Sequence, residues 1–290
     1  MKTFFKSFFI TLLLILILGG SIGGYYYYKT SKDPEVSSLK NLKFLVLGVD
    51  SLESKKAENT RSDTIIIGNF DLENGKLDLI SIPRDTYAEI RGYKKQKINH
   101  SYNYGGSELT LATVNNLLGT DIKYYLTIDY KFVMDVVDSL GGVKVNVPLN
   151  MDYEDPTADP PLYIHIKEGE QVLNGSDAVG FLRFRKGYKS GSDLERLGAQ
   201  QEFMRALFTS LKSGKTIIKA PMLFNAYVND TQNNIPKNYL LKLAMAATKL
   251  NMENINAQTL PGYPKYIKKV SYFIVDEDEA NNLLTNLSFK

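Results

Sequence analysis

The chain has no cysteine and only two histidines, His100 and His165, among its 290 residues. Without cysteine there are no thiol nucleophiles and no disulfides, and so few histidines argue against a histidine-rich zinc site. The lack of cysteine does not choose a compartment, because a disulfide-free chain suits an oxidising exterior and a cytoplasm equally. Internal repeats are absent, as is low-complexity sequence outside the block Tyr25 to Tyr28. No acidic residue precedes Asp33, and no charge of either sign lies between Lys6 and Lys29.

That uncharged interval predicts a membrane helix over 7–28. At about 1.5 Å per residue it reaches roughly 30 Å, the thickness of a bilayer's hydrocarbon core. The tyrosine block then falls where an interfacial belt belongs. A cleaved signal peptide is the competing reading. No A-x-A-like site follows the apolar run, although Gly19, Ser21 and Gly23 are small. Lys2 and Lys6 precede the span while Lys29, Lys32, Lys40 and Lys43 follow it, so the basic residues do not orient it. The expected organisation is a tail over 1–6, the span over 7–28, a linker over 29–41 and one large domain over 42–290.

The excess of three positive charges comes from the anchor. Four of the 35 basic residues lie in the first 32 positions, and the remaining 31 face 32 acidic ones. A domain of that balance, with no basic recognition helix, is not built to bind nucleic acid.

Beyond the linker, apolar runs alternate with helical spacing. Leu42 to Val49, Thr64 to Phe70 and Lys76 to Ile82 read as strands, with a hairpin turn at Asn74-Gly75. Glu108 to Leu118 reads as a helix, Tyr124 to Ile128 as a strand, and Tyr130 to Leu140 as a helix stopped by Gly141-Gly142. Val143 to Val147 is a strand, and Asn150 to Pro161 a polar loop. Helices are expected from Ser176 and over Asp193 to Leu211, Pro236 to Leu250 and Asp276 to Leu287, with a strand around Ala257 to Leu260. The fold class is therefore α/β: a mixed central β-sheet with helices on both faces, a three-layer α/β/α arrangement behind one transmembrane helix.

If the first three strands form an up-down-up meander, their ends collect charge at one rim. Asp50 closes the first strand, Arg61 and Asp63 open the second, and Arg84 and Asp85 follow the third. Lys97 and Asn99 occupy a polar turn nearby. Arg183 and Arg185 would point the same way from an extended segment. Asp193, Arg196 and Gln200 would share one helical face. Arginine forks grip the anionic oxygens of a pyrophosphate bidentately, while two carboxylates can hold Mg2+ or Mn2+. Together they would neutralise charge as a P–O bond breaks. The blander reading of any one Asp–Arg pair is a surface salt bridge, and both histidines read first as structural hydrogen-bonding groups. The apolar residues from Phe132 to Leu140 fit ordinary core as well as a slot for a long apolar chain.

Ordered motifs then carry a resemblance. Leu47-Gly48-Val49-Asp50, Arg61-Ser62-Asp63-Thr64 and Ser81-Ile82-Pro83-Arg84-Asp85-Thr86 resemble successive motifs of the LytR-CpsA-Psr family. Lys97 to Tyr102, Tyr104-Gly105-Gly106, Ile128-Asp129-Tyr130, Gly141-Gly142-Val143, Phe184-Arg185 and the helix from Asp193 to Gln201 continue it in order. The resemblance runs from about Leu42 to Leu211. It implies a membrane-anchored, extracytoplasmic phosphotransferase of Gram-positive and related envelopes. Such an enzyme moves a glycopolymer, such as teichoic acid or capsular polysaccharide, from a polyprenyl pyrophosphate carrier to a peptidoglycan hydroxyl. It further implies Asp50 and Asp63 as metal ligands, and Arg61, Arg84, Lys97, Arg183, Arg185 and Gln200 as pyrophosphate contacts. Arg196 is grouped with these contacts, and Asp85, or Asp63 through water, is the candidate base. Where the family helix often reads Asp-x-Gly-Arg-x-x-Arg-Gln-Gln, this chain has Glu195 for the glycine and Ala199 for the second arginine. Hydrolysis of the same carrier pyrophosphate and a non-enzymatic envelope regulator are the competing functions.

Overall fold

The computed structural model describes residues 34–49, 51, 60–158, 161–184, 186, 193–212, 222–223, 226–227, 229–250 and 253–290. At 34, 35, 193–197, 201, 208, 212, 241, 244, 247 and 248 only the backbone is described. The predicted membrane helix, Asp50 and Arg185 lie outside the described residues, as do the side chains of Asp193 and Arg196. Among the described residues no helix is long and apolar enough to cross a membrane.

The chain forms two compact units. One comprises Ser37–Asp129, Thr231–Lys237 and Thr248–Lys290; the other comprises Tyr130–Asp230 and Asn238–Ala247, with the segment up to Val36.

A mixed six-stranded sheet builds the first unit. Helix α1 (Pro34–Ser38) leads into β1 (Asn41–Val49), followed by β2 (Ser62–Asp71) and β3 (Lys76–Ser81). These three form the expected antiparallel meander, with Leu45 opposite Ile67 and Ile67 opposite Ile80. Short strands β4 (Tyr87–Ala88) and β5 (Gln96–Lys97) pair with each other, and α2 (His100–Leu118) leads to β6 (Tyr124–Ile128). In the second unit follow α3 (Tyr130–Ser139), β7 (Val143–Val147), β8 (Met151–Asp155), β9 (Leu162–Ile166), β10 (Gly169–Leu173), α4 (Gly175–Arg183) and α5 (Asp193–Lys212). The chain then supplies β11 (Gln232–Asn233), α6 (Tyr239–Thr248), β12 (Ile255–Thr259), β13 (Gly262–Ile267), β14 (Val270–Val275) and α7 (Glu277–Asn286). The sheet order is β11-β6-β1-β2-β3-β12, with β6 parallel to β1 and β12 parallel to β3.

Period-two alternation decides which residues face which layer. Leu45, Leu47, Ile65, Ile67 and Ile80 pack against Tyr102, Val114 and Leu118 of α2, Ala280 and Leu284 of α7, and the terminal Phe289. The alternate residues Phe44, Val46, Ile66 and Leu79 are also fully buried. Each such side chain contributes roughly 1.5–3 kcal/mol, far more than any rim charge pair. Two-sided burial explains why these strands read as continuous apolar runs.

Three expectations are corrected, and the hairpin turn containing Asn74-Gly75 is as expected. The segment read as a loop over Asn150 to Pro161 contains β8, which pairs with β9 from Met151–Ile166 to Asp155–Leu162. Met151, Ile164 and Ile166 are buried there, while Asp152, Glu154 and His165 point outward, with His165 Nδ1 2.6 Å from Asp152. The helix expected from Glu108 begins at His100 and kinks at Gly105 and Gly106, whose backbones are non-helical. The β2–β3 turn spans four residues, because Asp71 pairs with Lys76 and its carboxylate accepts from Glu73 N and Asn74 N. Arg183 is the last residue of α4 and does not lie on an extended segment; only Phe184 turns extended.

Candidate functional site

In the first unit the end of β1, the start of β2 and the end of β3 share a rim, with Val49 opposite Ser62 and Ile66 opposite Ser81. Beyond β3, Pro83 to Thr86 makes a tight turn in which Thr86 N and Oγ1 both donate to Pro83 O, at 3.0 and 2.6 Å. Two distant segments hold that turn. Asn99 N donates to Arg84 O, Ile98 N to Thr86 O, and Phe273 N to Asp85 O at 3.0 Å. The backbone of Arg84 and Asp85 is therefore fixed, leaving their side chains for chemistry.

The structure brings Arg84 and Asp63 together at 2.9 Å and Lys97 and Asp85 at 2.7 Å. Asp63 keeps 39% and Arg84 52% of its side chain exposed, so this pair faces solvent rather than core. Arg61, also exposed, stands one residue before β2 on the same rim. His100 joins the group at the start of α2. Burial lowers its pKa first, and the nearby positive charges of Arg61 and Lys97 lower it further against the pull of Asp85. His100, expected as a structural group, thus stands among the rim charges, and its short spacing from Lys97 is the signal for that in the sequence. Ser62 Oγ and Asn99 Oδ1 are buried beside these residues without hydrogen-bond partners among the described residues. Buried orphans of this kind cost about 1–3 kcal/mol each and concentrate at functional sites.

Deeper in the unit, burial and then the neighbouring Asp129 raise the Tyr102 hydroxyl to about 12. Tyr102 is therefore a neutral core phenol and not a base.

The second unit holds the other expected residues that are described. Arg183 lays its guanidinium 4.9 Å above the Tyr130 ring. Gln200 Nε2 donates to Leu182 O at 2.9 Å, fastening α5 to the end of α4 just before Arg183. Ala199, where the family pattern has arginine, is buried. Lys131 is bonded to Asp135 and, at 2.6 Å, to Asp230, which raises its pKa.

The metal assignment rests on Asp50 and Asp63, of which only Asp63 is described. Among the described residues no three His, Asp or Glu side chains cluster tightly enough to cage an ion. An exposed carboxylate at a cationic rim fits Mg2+, which commonly takes one or two carboxylates and completes its shell with water and substrate phosphates.

The LytR_cpsA_psr family model matches residues 25–288. The chain belongs to the LytR-CpsA-Psr family. It is 30% identical over 258 residues to the polyisoprenyl-teichoic acid–peptidoglycan teichoic acid transferase TagV of Bacillus subtilis, covering 87% of this chain and 65% of TagV. It is also 30% identical over 225 residues to the regulatory protein MsrR of Staphylococcus aureus, covering 76% of this chain and 64% of MsrR. The chain thus spans just under two thirds of the length of these relatives. The crystal structure of B. subtilis TagV superposes with a TM-score of 0.65 at 28% identity, covering 87% of this chain and 98% of that one. The structure of TagT bound to LIIa-WTA matches with a TM-score of 0.60 at 25% identity, covering 86% and 90%. As a LytR-CpsA-Psr protein the chain has the mixed α/β fold of these structures, and its motif residues Arg61, Asp63, Arg84, Asp85 and Lys97 gather at one rim of the sheet.

Proposed function

We propose that this LytR-CpsA-Psr protein is a membrane-anchored phosphotransferase that moves a glycopolymer from a polyprenyl pyrophosphate carrier to a peptidoglycan hydroxyl. The observation that carries the reading is the Arg84–Asp63 pair beside Lys97–Asp85 on a turn fixed by three backbone bonds. The printed name of TagV, a teichoic acid transferase acting on peptidoglycan, supports it.

In this reading Arg84, Arg61 and Lys97 bind the pyrophosphate oxygens. The acceptor hydroxyl attacks the sugar-side phosphorus, a P–O bond forms, and the bond to polyprenyl phosphate breaks with its electron pair leaving on the carrier. Asp85, or Asp63 through water, takes the hydroxyl proton. Asp50 and Asp63 would hold Mg2+ or Mn2+, which supplies charge neutralisation for the phosphates when bound. Arg183, Arg185, Arg196 and Gln200 keep the pyrophosphate role that the resemblance implies. The uncharged stretch 7–28 supports a single-pass anchor, the family resemblance implies a domain outside the cell membrane, and burial on both sheet faces supports the three-layer arrangement.

Arg84→Ala and Asp63→Ala are expected to abolish transfer of a lipid-linked donor to defined peptidoglycan while circular dichroism stays unchanged. Wild-type transfer by either variant would sink the assignment, and release of free polymer phosphate alone would favour hydrolysis. The name of MsrR favours a second, regulatory reading. Retained polymer attachment in cells carrying Arg84→Ala would support that one instead.

A further inference from the structure

The hairpin β13–β14 is joined to the catalytic turn and exposes aromatic and basic side chains that the transfer chemistry does not use. Phe273 N bonds to Asp85 O, and Thr86 bridges Phe273. Pairing places Tyr263 opposite Ile274, Lys265 opposite Tyr272 and Ile267 opposite Val270, so these six side chains share one face. On that face Tyr263 is 51% and Val270 43% exposed. Tyr272 packs its ring 4.7 Å from Tyr87 of β4, and Lys95 stands 5.0 Å from the Tyr87 ring. A strip of Tyr263, Tyr272 and Tyr87, flanked by Lys265 and Lys95, thus runs to within three residues of Arg84.

The charge on the hairpin has one sign. From Gly262 to Val275 there are three lysines, Lys265, Lys268 and Lys269, and no acidic residue; Asp276 to Glu279 begin only beyond the strands, at the opposite end from the turn. Tyrosine offers a flat apolar face with a polar tip, which suits the axial C–H face and hydroxyls of a sugar. Lysines beside such rings suit carboxylates on the same polymer.

We infer that this strip is the docking platform for the acceptor, a carboxylate-bearing glycan strand, with sugar faces on Tyr263, Tyr272 and Tyr87 and carboxylates on Lys265 and Lys95. The inference rests on the transferase reading for the identity of the glycan. It is tested on the full-length protein by co-sedimentation with peptidoglycan sacculi stripped of teichoic acid, and in parallel with phosphatidylglycerol vesicles and with the lipid-linked donor. Tyr263→Ala and Lys265→Glu should each weaken sacculus binding by about tenfold and raise the acceptor KM without changing donor binding. Tyr263→Phe and Lys265→Arg should bind sacculi like the wild type. Both positions are exposed, and an unchanged melting temperature verifies each fold; should Lys265→Glu lose stability, Lys265→Gln takes its place. Wild-type sacculus binding by Tyr263→Ala and Lys265→Glu would overturn the platform, as would loss of vesicle binding in place of sacculus binding. If Arg84→Ala and the wild type both fail to transfer yet the hairpin variants alone lose sacculus binding, the transferase reading falls and the glycan platform stands.

Discussion

Arg84 and Asp63 hold each other at 2.9 Å with about half of the Arg84 side chain still in water. A pair of that exposure is worth at most about 1 kcal/mol to folding, so stability does not explain why a fixed turn presents it. Asp63→Ala is therefore expected to lower the unfolding free energy from urea denaturation by less than about 1 kcal/mol while removing transfer altogether, and equilibrium denaturation beside the transfer assay checks both halves. His100 gives a pH signature. Burial and the charges of Arg61 and Lys97 hold its pKa below the ordinary 6.5, so the unfolded chain binds the proton more readily than the folded one. The contribution is complete above about pH 7 and is lost as pH falls through the depressed folded value. Melting curves from about pH 7 to about pH 5 should therefore show a smaller acid loss in His100→Asn than in the wild type. A sequence carries none of this, because a pKa belongs to the neighbours that folding supplies.

At the scale of elements, the strand ends of the meander were legible because Ile, Leu and Val runs, a turn and charged residues follow one another within forty or so positions. Tight chain connectivity left few ways to arrange them. Strand β8 was not legible, since Met151-Asp152-Tyr153-Glu154-Asp155 hides its alternation under acidic side chains that β9 pairs outward. The kink in α2 was hidden too: Gly106 sits at φ +60° and ψ −152°, a conformation that essentially only glycine adopts. Gly106→Ala should cost about 1–3 kcal/mol in thermal denaturation. At Gly48, two residues before Asp50, a Cβ would lie 2.9 Å from Thr64 Cβ on the paired strand. Gly48→Ala is expected to destabilise by roughly 1–3 kcal/mol, and Thr64→Gly, which removes the clashing Cβ, should show compensating coupling in a double-mutant cycle.

For the whole molecule, two compact units divide the expected binding residues: Arg61, Asp63, Arg84, Asp85 and Lys97 belong to one, Arg183 and Gln200 to the other. Arg183→Ala tests the pyrophosphate contact that the resemblance implies for it: a loss of donor affinity of about tenfold or more is expected, and wild-type affinity would remove Arg183 from the assignment. Removing residues 1–28 should release the protein from the membrane fraction without changing the melting temperature of the domain, since the strands begin at Asn41. Sequence by itself determined the family, through motifs kept in order, and the clustering at the rim, because a meander returns its alternate ends to one edge whatever packs around it. The tertiary structure alone decided which rim charges pair, that His100 stands among them, and that the hairpin from Gly262 to Val275 abuts a turn nearly two hundred residues earlier. Those are long-range backbone bonds such as Phe273 N to Asp85 O, and no local pattern of residues encodes which distant carbonyl an amide will find.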